Sequence, residues 1–164
     1  MVTNRGSNLA RGIRQKVEAL KLVCAEVDED LASRAPKDRW SPKEILSHLS
    51  GPEGKGHLPI LQSFLESEPR TISLDAGNPF FTAHRASMTF KELVAECERN
   101  YDRVTRFAEG LSDEQLDSKA HIPELKDSPL GEYPTLEAMI QGLGEYHIQF
   151  HVDHLGEILA ELKR

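Results

Sequence analysis

Long apolar runs are missing from this 164-residue chain. No stretch approaches the roughly 20 apolar residues that a bilayer-spanning helix needs, so no membrane partner is expected. The opening segment, MVTNRGSNLARGIRQ, lacks the apolar core of a secretory signal, and a cytoplasmic location is the expectation. An excess of positive charge is missing too. Lys and Arg number 20 against 27 Asp and Glu, a net charge of −7. No basic cluster interrupts that balance, which argues against a nucleic-acid partner, since phosphate backbones are bound through basic faces. Cysteine is scarce. Cys24 and Cys97 occupy apolar positions of helical patterns without Cys-x-x-Cys spacing, and they read as buried thiols acting as small hydrophobes.

What is present is ordinary for one globular domain spanning residues 1–164, with 38% hydrophobic and 29% charged residues. Leu9, Ile13, Val17, Leu20, Cys24, Val27 and Leu31 recur at helical spacing and predict one long amphipathic helix ending near Ala35-Pro36. In RWSPKEILSHLS, Ser41 is an N-cap, Pro42 suits the first turn and Glu44 completes a capping box. Ile45, Leu46 and Leu49 give this second helix a core face, which includes His48. GPEGKGH follows, and Gly51-Pro52 should kink or break the helix. That phrase is not a phosphate-binding loop: its glycine spacing is wrong and no Ser/Thr follows the lysine. Residues 67–88 read as a long loop of the kind that often carries function. Thr89 with Glu92 opens a third helix, Ser112 with Gln115 a short turn, and Thr135 a fourth helix running to about Leu162. Four long helices without alternating strands predict an all-α bundle.

The last helix holds His147, His151 and His154 within eight positions. At about 100° per residue, Leu136, Ile140, Leu143, His147, Phe150, His151, His154 and Ile158 share one side. The three histidines therefore point toward the core. Several buried imidazoles need partners, because a buried unpaired polar group costs roughly 1–3 kcal/mol. Bundle cores commonly hold metals on side chains from facing helices, and His48 would supply a ligand from a second helix. The His-x-x-x-His spacing alone fits both ligation and satisfied core histidines. His57, His84 and His121 fall in breaker or loop segments and are expected to be exposed. Trp40 is expected to plug the end of the second helix.

The phrase Trp40-Ser41-Pro42-Lys43-Glu44-Ile45-Leu46-Ser47-His48, followed by His147-x-x-x-His151-x-x-His154-Leu155, resembles the DinB-like superfamily, including its YfiT-like metal-dependent hydrolases. Thr-Phe-Lys-Glu-Leu at 89–93 and Leu-Ser-Asp-Glu-Gln-Leu at 111–116 extend the resemblance over nearly the whole chain. It implies a four-helix bundle, up-down-down-up, with one divalent ion, zinc or nickel, held by His48, His147 and His151. His154 becomes a substitute ligand or a supporting residue, as do Glu157 and Tyr146 at the border of the inward face. Two departures stand out. Phe150 occupies the position where many members carry a ligand, and GPEGKG interrupts a helix that the family usually continues.

Three neutral imidazoles leave coordination positions open, as in catalytic sites. The expected function is a metal-dependent enzyme acting on a small-molecule substrate. It would be either a hydrolase or a transferase using a low-molecular-weight thiol as co-substrate. The alternative is a non-catalytic metal-binding or stress-response module on the same bundle. Such bundles often pair through helix faces, so a homodimer is expected under either reading.

Overall fold

A computed structural model describes residues 4–66 and 71–164; the start of the predicted 67–88 loop lies outside the described residues. Four helical columns make the bundle. The first is α1 (Asn4–Cys24), followed by the short α2 (Glu29–Ala32). The second is α3 (Pro42–Ser50), with the short α4 (Leu58–Ser63) after it. A single helical turn, α5 (Ala83–Ser87), precedes the third column, α6 (Phe90–Glu109). The small α7 (Asp113–Leu116) leads to the fourth column, α8 (Leu136–Gln141), a π-helical turn at Gly142–Tyr146, and α9 (His147–Leu162). Among the described residues there are two isolated β-bridges and no strand. Among the described residues no helix is long and apolar enough to cross a membrane.

Helices α1 and α3 each pack against both α6 and α9, around a core that includes Ile13, Leu20, Leu46, Leu93, Tyr101, Ile148 and Leu155. The column starts are set by local chemistry. Ser41 Oγ accepts from Glu44 N at 3.2 Å while Glu44 Oε1 accepts from Ser41 N at 3.1 Å. Thr89–Glu92 and Ser112–Gln115 form the same reciprocal pair. Each box satisfies two N–H groups that a helix start leaves unpaired.

Three features differ from the sequence expectation. The predicted first helix is split, because Asp28 Oδ1 accepts from Leu31 N at 2.8 Å and starts a new helix. The second helix does break, at Gly51, whose φ of 76° ends α3. The fourth column is not one uniform α-helix. Its π turn inserts a residue, so the buried stripe runs Ile140, Gly144, Ile148, His151, Leu155. A uniform period places Phe150 inward; it is 65% exposed, and Ile148 takes the core position at 0%.

Candidate metal centre

His48 lies three residues before the Gly51 break, and His147 follows directly on the π turn. These two helix ends, with His151 one turn further along α9, bring three imidazoles together between α3 and α9. Ring centroids lie 4.9 Å apart for His48–His147, 4.8 Å for His48–His151 and 4.7 Å for His147–His151. Every pair meets edge to face, so the rings form a nearly equilateral triangle.

The partners of each ring constrain its protons. His48 Nδ1 lies 2.7 Å from the Asn78 carbonyl, which can only accept, so Nδ1 carries the hydrogen and Nε2 keeps its lone pair. That Nε2 faces His147 Nε2 at 3.0 Å. His151 Nδ1 lies 3.2 Å from His154 Nδ1, leaving His151 Nε2 as its donor atom toward the other rings. His147 Nδ1 is buried without a well-formed hydrogen bond. The Leu143 carbonyl faces it and also accepts from Tyr101 Oη at 3.0 Å.

Burial holds every one of these rings neutral. It pushes His147 down to about 2, aided by repulsion from His151, His48 and His57, and pushes His151 down to about 3. His48 and His154 are lowered as well, again mainly by burial. Neutral imidazoles are the form that ligates metals. Donor atoms of His48, His147 and His151 all lie within 4.8 Å of one another; two nitrogens on one tetrahedral zinc ion lie roughly 3.4 Å apart, so small rotations of the rings would bring them onto a single ion. With His48 Nε2 and His147 Nε2 facing each other at 3.0 Å and a ligand atom of His151 close to both, the set fits a divalent cation.

Above the triangle opens a cleft of about 500 Å³, lined by the three rings together with Trp40, Phe150, His154, Asp38, Arg39 and Ala76. The Trp40 ring is 4.9 Å from His48, and Phe150 packs edge-on to His151 at 5.0 Å. Arg39 is held by Glu157 at 3.1 Å and Glu161 at 3.2 Å.

No protein-family model and no curated protein matches the sequence. Solved structures do match its fold. YfiT from Bacillus subtilis, a probable metal-dependent hydrolase with an unusual four-helix bundle topology, superimposes with a TM-score of 0.76 at 16% identity, over 99% of this chain and 90% of that one. The chain has the YfiT fold. A protein from Clostridium difficile 630 matches with a TM-score of 0.68 at 17% identity, covering 96% of each chain. The colibactin self-resistance protein ClbS, solved in complex with a double-stranded DNA, matches with a TM-score of 0.65 at 15% identity, over 93% of this chain and 94% of that one.

Within the YfiT fold the remaining sequence-predicted residues separate clearly. His154 lines the cleft and supports His151. Tyr146 is 61% exposed and Glu157 is turned to Arg39, so neither lines the cleft. Trp40 forms a wall of the cleft and remains partly exposed, where the sequence suggested a plug. His84 is exposed, as expected, and bonds Glu53. His57 is a correction: it is 8% exposed and donates from Nε2 to the Leu49 carbonyl at 2.9 Å. The break in the second helix leaves that carbonyl without its helical partner, and the His57 ring fills the gap.

Arg85 escaped sequence reading altogether. Its side chain is fully buried beside Glu96 at 2.7 Å, inside a segment that reads as loop. Nearby Phe80 sits at φ 51°, a left-handed conformation that costs a non-glycine residue on the order of 1–3 kcal/mol. Nothing in the spacing of either residue signals a site.

Proposed function

We propose that this chain is a metal-dependent hydrolase in which His48, His147 and His151 hold one divalent ion, zinc or nickel, at the floor of the cleft. The observation that carries the reading is the convergence of three neutral rings whose second nitrogens are occupied or orphaned, under an open cleft. The description of YfiT as a probable metal-dependent hydrolase supports the same reaction class. When bound, such an ion supplies Lewis acidity and lowers the pKa of a water or thiol beside it.

The protein's own groups do the rest. Asn78 fixes the His48 ring through its backbone carbonyl, and His154 fixes His151. Such outer partners set ring orientation and tautomer. Trp40 and Phe150 give a small-molecule substrate apolar walls to lie against. His154, neutral and in the cleft wall, is suited to accept a proton. Glu157 pairs with Arg39 and does not line the cleft, so it is given no role as a base here.

The test is elemental analysis of untagged protein purified without chelators. One equivalent of zinc or nickel is expected, with loss of the ion in His48→Ala. Protein that neither carries nor takes up Zn²⁺ or Ni²⁺ would sink the reading. Metal-loaded protein should then hydrolyse members of a panel of simple esters and amides. Turnover only when a low-molecular-weight thiol is supplied with an electrophile would move the assignment to thiol transfer.

A further inference from the structure

We infer that Arg85 is a positioning residue for His48, acting through the backbone carbonyls that frame the ring. The inference rests on the metal reading above. Arg85 is among the largest fully buried side chains of the protein. Its Nη1 lies within hydrogen-bonding distance of the carbonyls of Ser47 (3.1 Å), Gly51 (2.6 Å) and Phe80 (3.2 Å), and of Ser47 Oγ (3.1 Å). Its Nη2 pairs with Glu96 Oε1 at 2.7 Å.

Burying an ion pair is expensive, and removing both charges in favour of apolar side chains often stabilises a core. This pair is costlier than most, since Arg85 Nε and Glu96 Oε2 are buried without partners. Core packing alone therefore gives no reason for a guanidinium here. What the planar fork achieves is to join the two segments that meet at the His48 ring and to tie them to Glu96 on α6. Ser47 and Gly51 bracket His48 at the C-terminal end of α3. Phe80 belongs to the loop that supplies the acceptor for His48 Nδ1, the Asn78 carbonyl at 2.7 Å. That loop is tied to itself as well: Phe80 N donates to Asn78 Oδ1 at 2.7 Å, and Asn78 Nδ2 donates to Asp75 at 2.8 Å. Phe80 holds its left-handed turn while its carbonyl accepts from Ser47 Oγ at 3.0 Å and from Arg85. The helix that carries the His48 ring and the carbonyl that orients it are thus both fastened to one side chain.

The experiment is a double-mutant cycle read by Zn²⁺ affinity, measured by competition with a chromophoric chelator. Trp40, the only tryptophan of the chain and 4.9 Å from His48, reports the same event by its emission. Arg85→Lys keeps a buried cation but cannot reproduce the fork. It is expected to weaken Zn²⁺ binding by about 10- to 100-fold, the usual loss when an outer partner of a ligand is removed. Ser47→Ala should shift affinity in the same direction by less. In a His48→Ala background, Arg85→Lys should change the residual affinity no further, because the ligand through which it acts is gone. The visible spectrum of Co²⁺-loaded Arg85→Lys should also differ from that of the parent.

Parent-like affinity in both Arg85→Lys and Ser47→Ala would overturn the inference. So would an equal fold-loss with and without His48, which is what general loosening of the bundle would produce. If Arg85→Lys does not fold, the Ser47→Ala cycle with His48→Ala decides on the same criteria. A parent chain that binds no Zn²⁺ overturns the metal reading itself. Zn²⁺ binding that depends on His48 but not on Arg85 or Ser47 overturns only the role given to Arg85.

Discussion

The second column stops three residues after His48, at a glycine, whereas the fourth column widens into a π turn that ends just before His147. Both interruptions serve the same triangle, yet they arise differently. At Gly51 the cause is local: a residue with φ 76° and ψ −168°, a combination open essentially to glycine alone, followed by a proline. At the π turn the cause is tertiary. Gly144 presses on α1, where a Cβ would lie 2.5 Å from Ile13 Cγ1. The Leu143 carbonyl is taken by Tyr101 Oη from α6 at 3.0 Å. π turns are commonly found at functional sites. One interruption is written in the residues that make it; the other is imposed by neighbours far away in the chain.

The largest expected effect comes from acid, because each interruption buries a neutral histidine. Burial holds His57, beside the Gly51 break, down at about 4, and His147, beside the π turn, down at about 2. In the unfolded chain both protonate near 6.5. Below that pH the unfolded state binds protons that the folded state refuses, so stability is lost as the pH falls. At pH 5 each ring costs roughly 2 kcal/mol, about 4 kcal/mol together relative to neutral pH, and His151 acts in the same direction. Urea unfolding of metal-stripped protein at pH 7 and pH 5 measures this. His57→Gln retains a donor for the Leu49 carbonyl without a titrating ring, and should remove about 2 kcal/mol of the difference. Equal stability at the two pH values would contradict the burial of both rings.

How much of this was legible in the residues follows the same division. The capping boxes at Ser41–Glu44, Thr89–Glu92 and Ser112–Gln115 were readable because donor and acceptor lie three positions apart. The Gly51 break was readable from an equally local signal, the Gly51-Pro52 pair itself. The convergence of His48, His147 and His151 was visible from helical projection together with the family resemblance. The hydrophobic companions of the triangle were misread by one step, with Phe150 put inside and Ile148 left out, since no local signal announces the inserted residue. His57 and Arg85 were beyond reach for a different reason. Their partners include the carbonyls of Leu49, Ser47, Gly51 and Phe80, backbone groups around a helix end and a loop that become identifiable only once the chain is folded.

The next effect in size tests the local interruption. Gly51→Ala places a methyl in a glycine-only conformation, 2.9 Å from His57 Cε1 and 3.1 Å from the Gly56 carbonyl carbon. Destabilisation of about 2–3 kcal/mol is expected, read as a shift in the urea midpoint at unchanged slope. A loss below about 0.5 kcal/mol, the range of ordinary surface substitutions, would show that the break tolerates a side chain.

The same methyl at the other interruption should cost less. Gly144 sits in helical backbone, so Gly144→Ala gains roughly 1 kcal/mol of helix propensity while overpacking costs roughly 1–3 kcal/mol. A net loss of about 1 kcal/mol is expected. Its source is identifiable, because the atoms it would meet are Ile13 Cγ1 at 2.5 Å and Cδ1 at 2.7 Å. Ile13→Val removes Cδ1 and leaves a shorter side chain whose Cγ1 can turn away, so Gly144→Ala should cost measurably less in that background than in the parent, a coupling of about 0.5 kcal/mol or more. At Gly51 shortening His57 would still leave the φ angle and the Gly56 backbone in the way, so no full rescue is expected there. Additive effects of Ile13→Val and Gly144→Ala would mean that contact with α1 does not set the π turn, and the distinction between a local and an imposed interruption would fall.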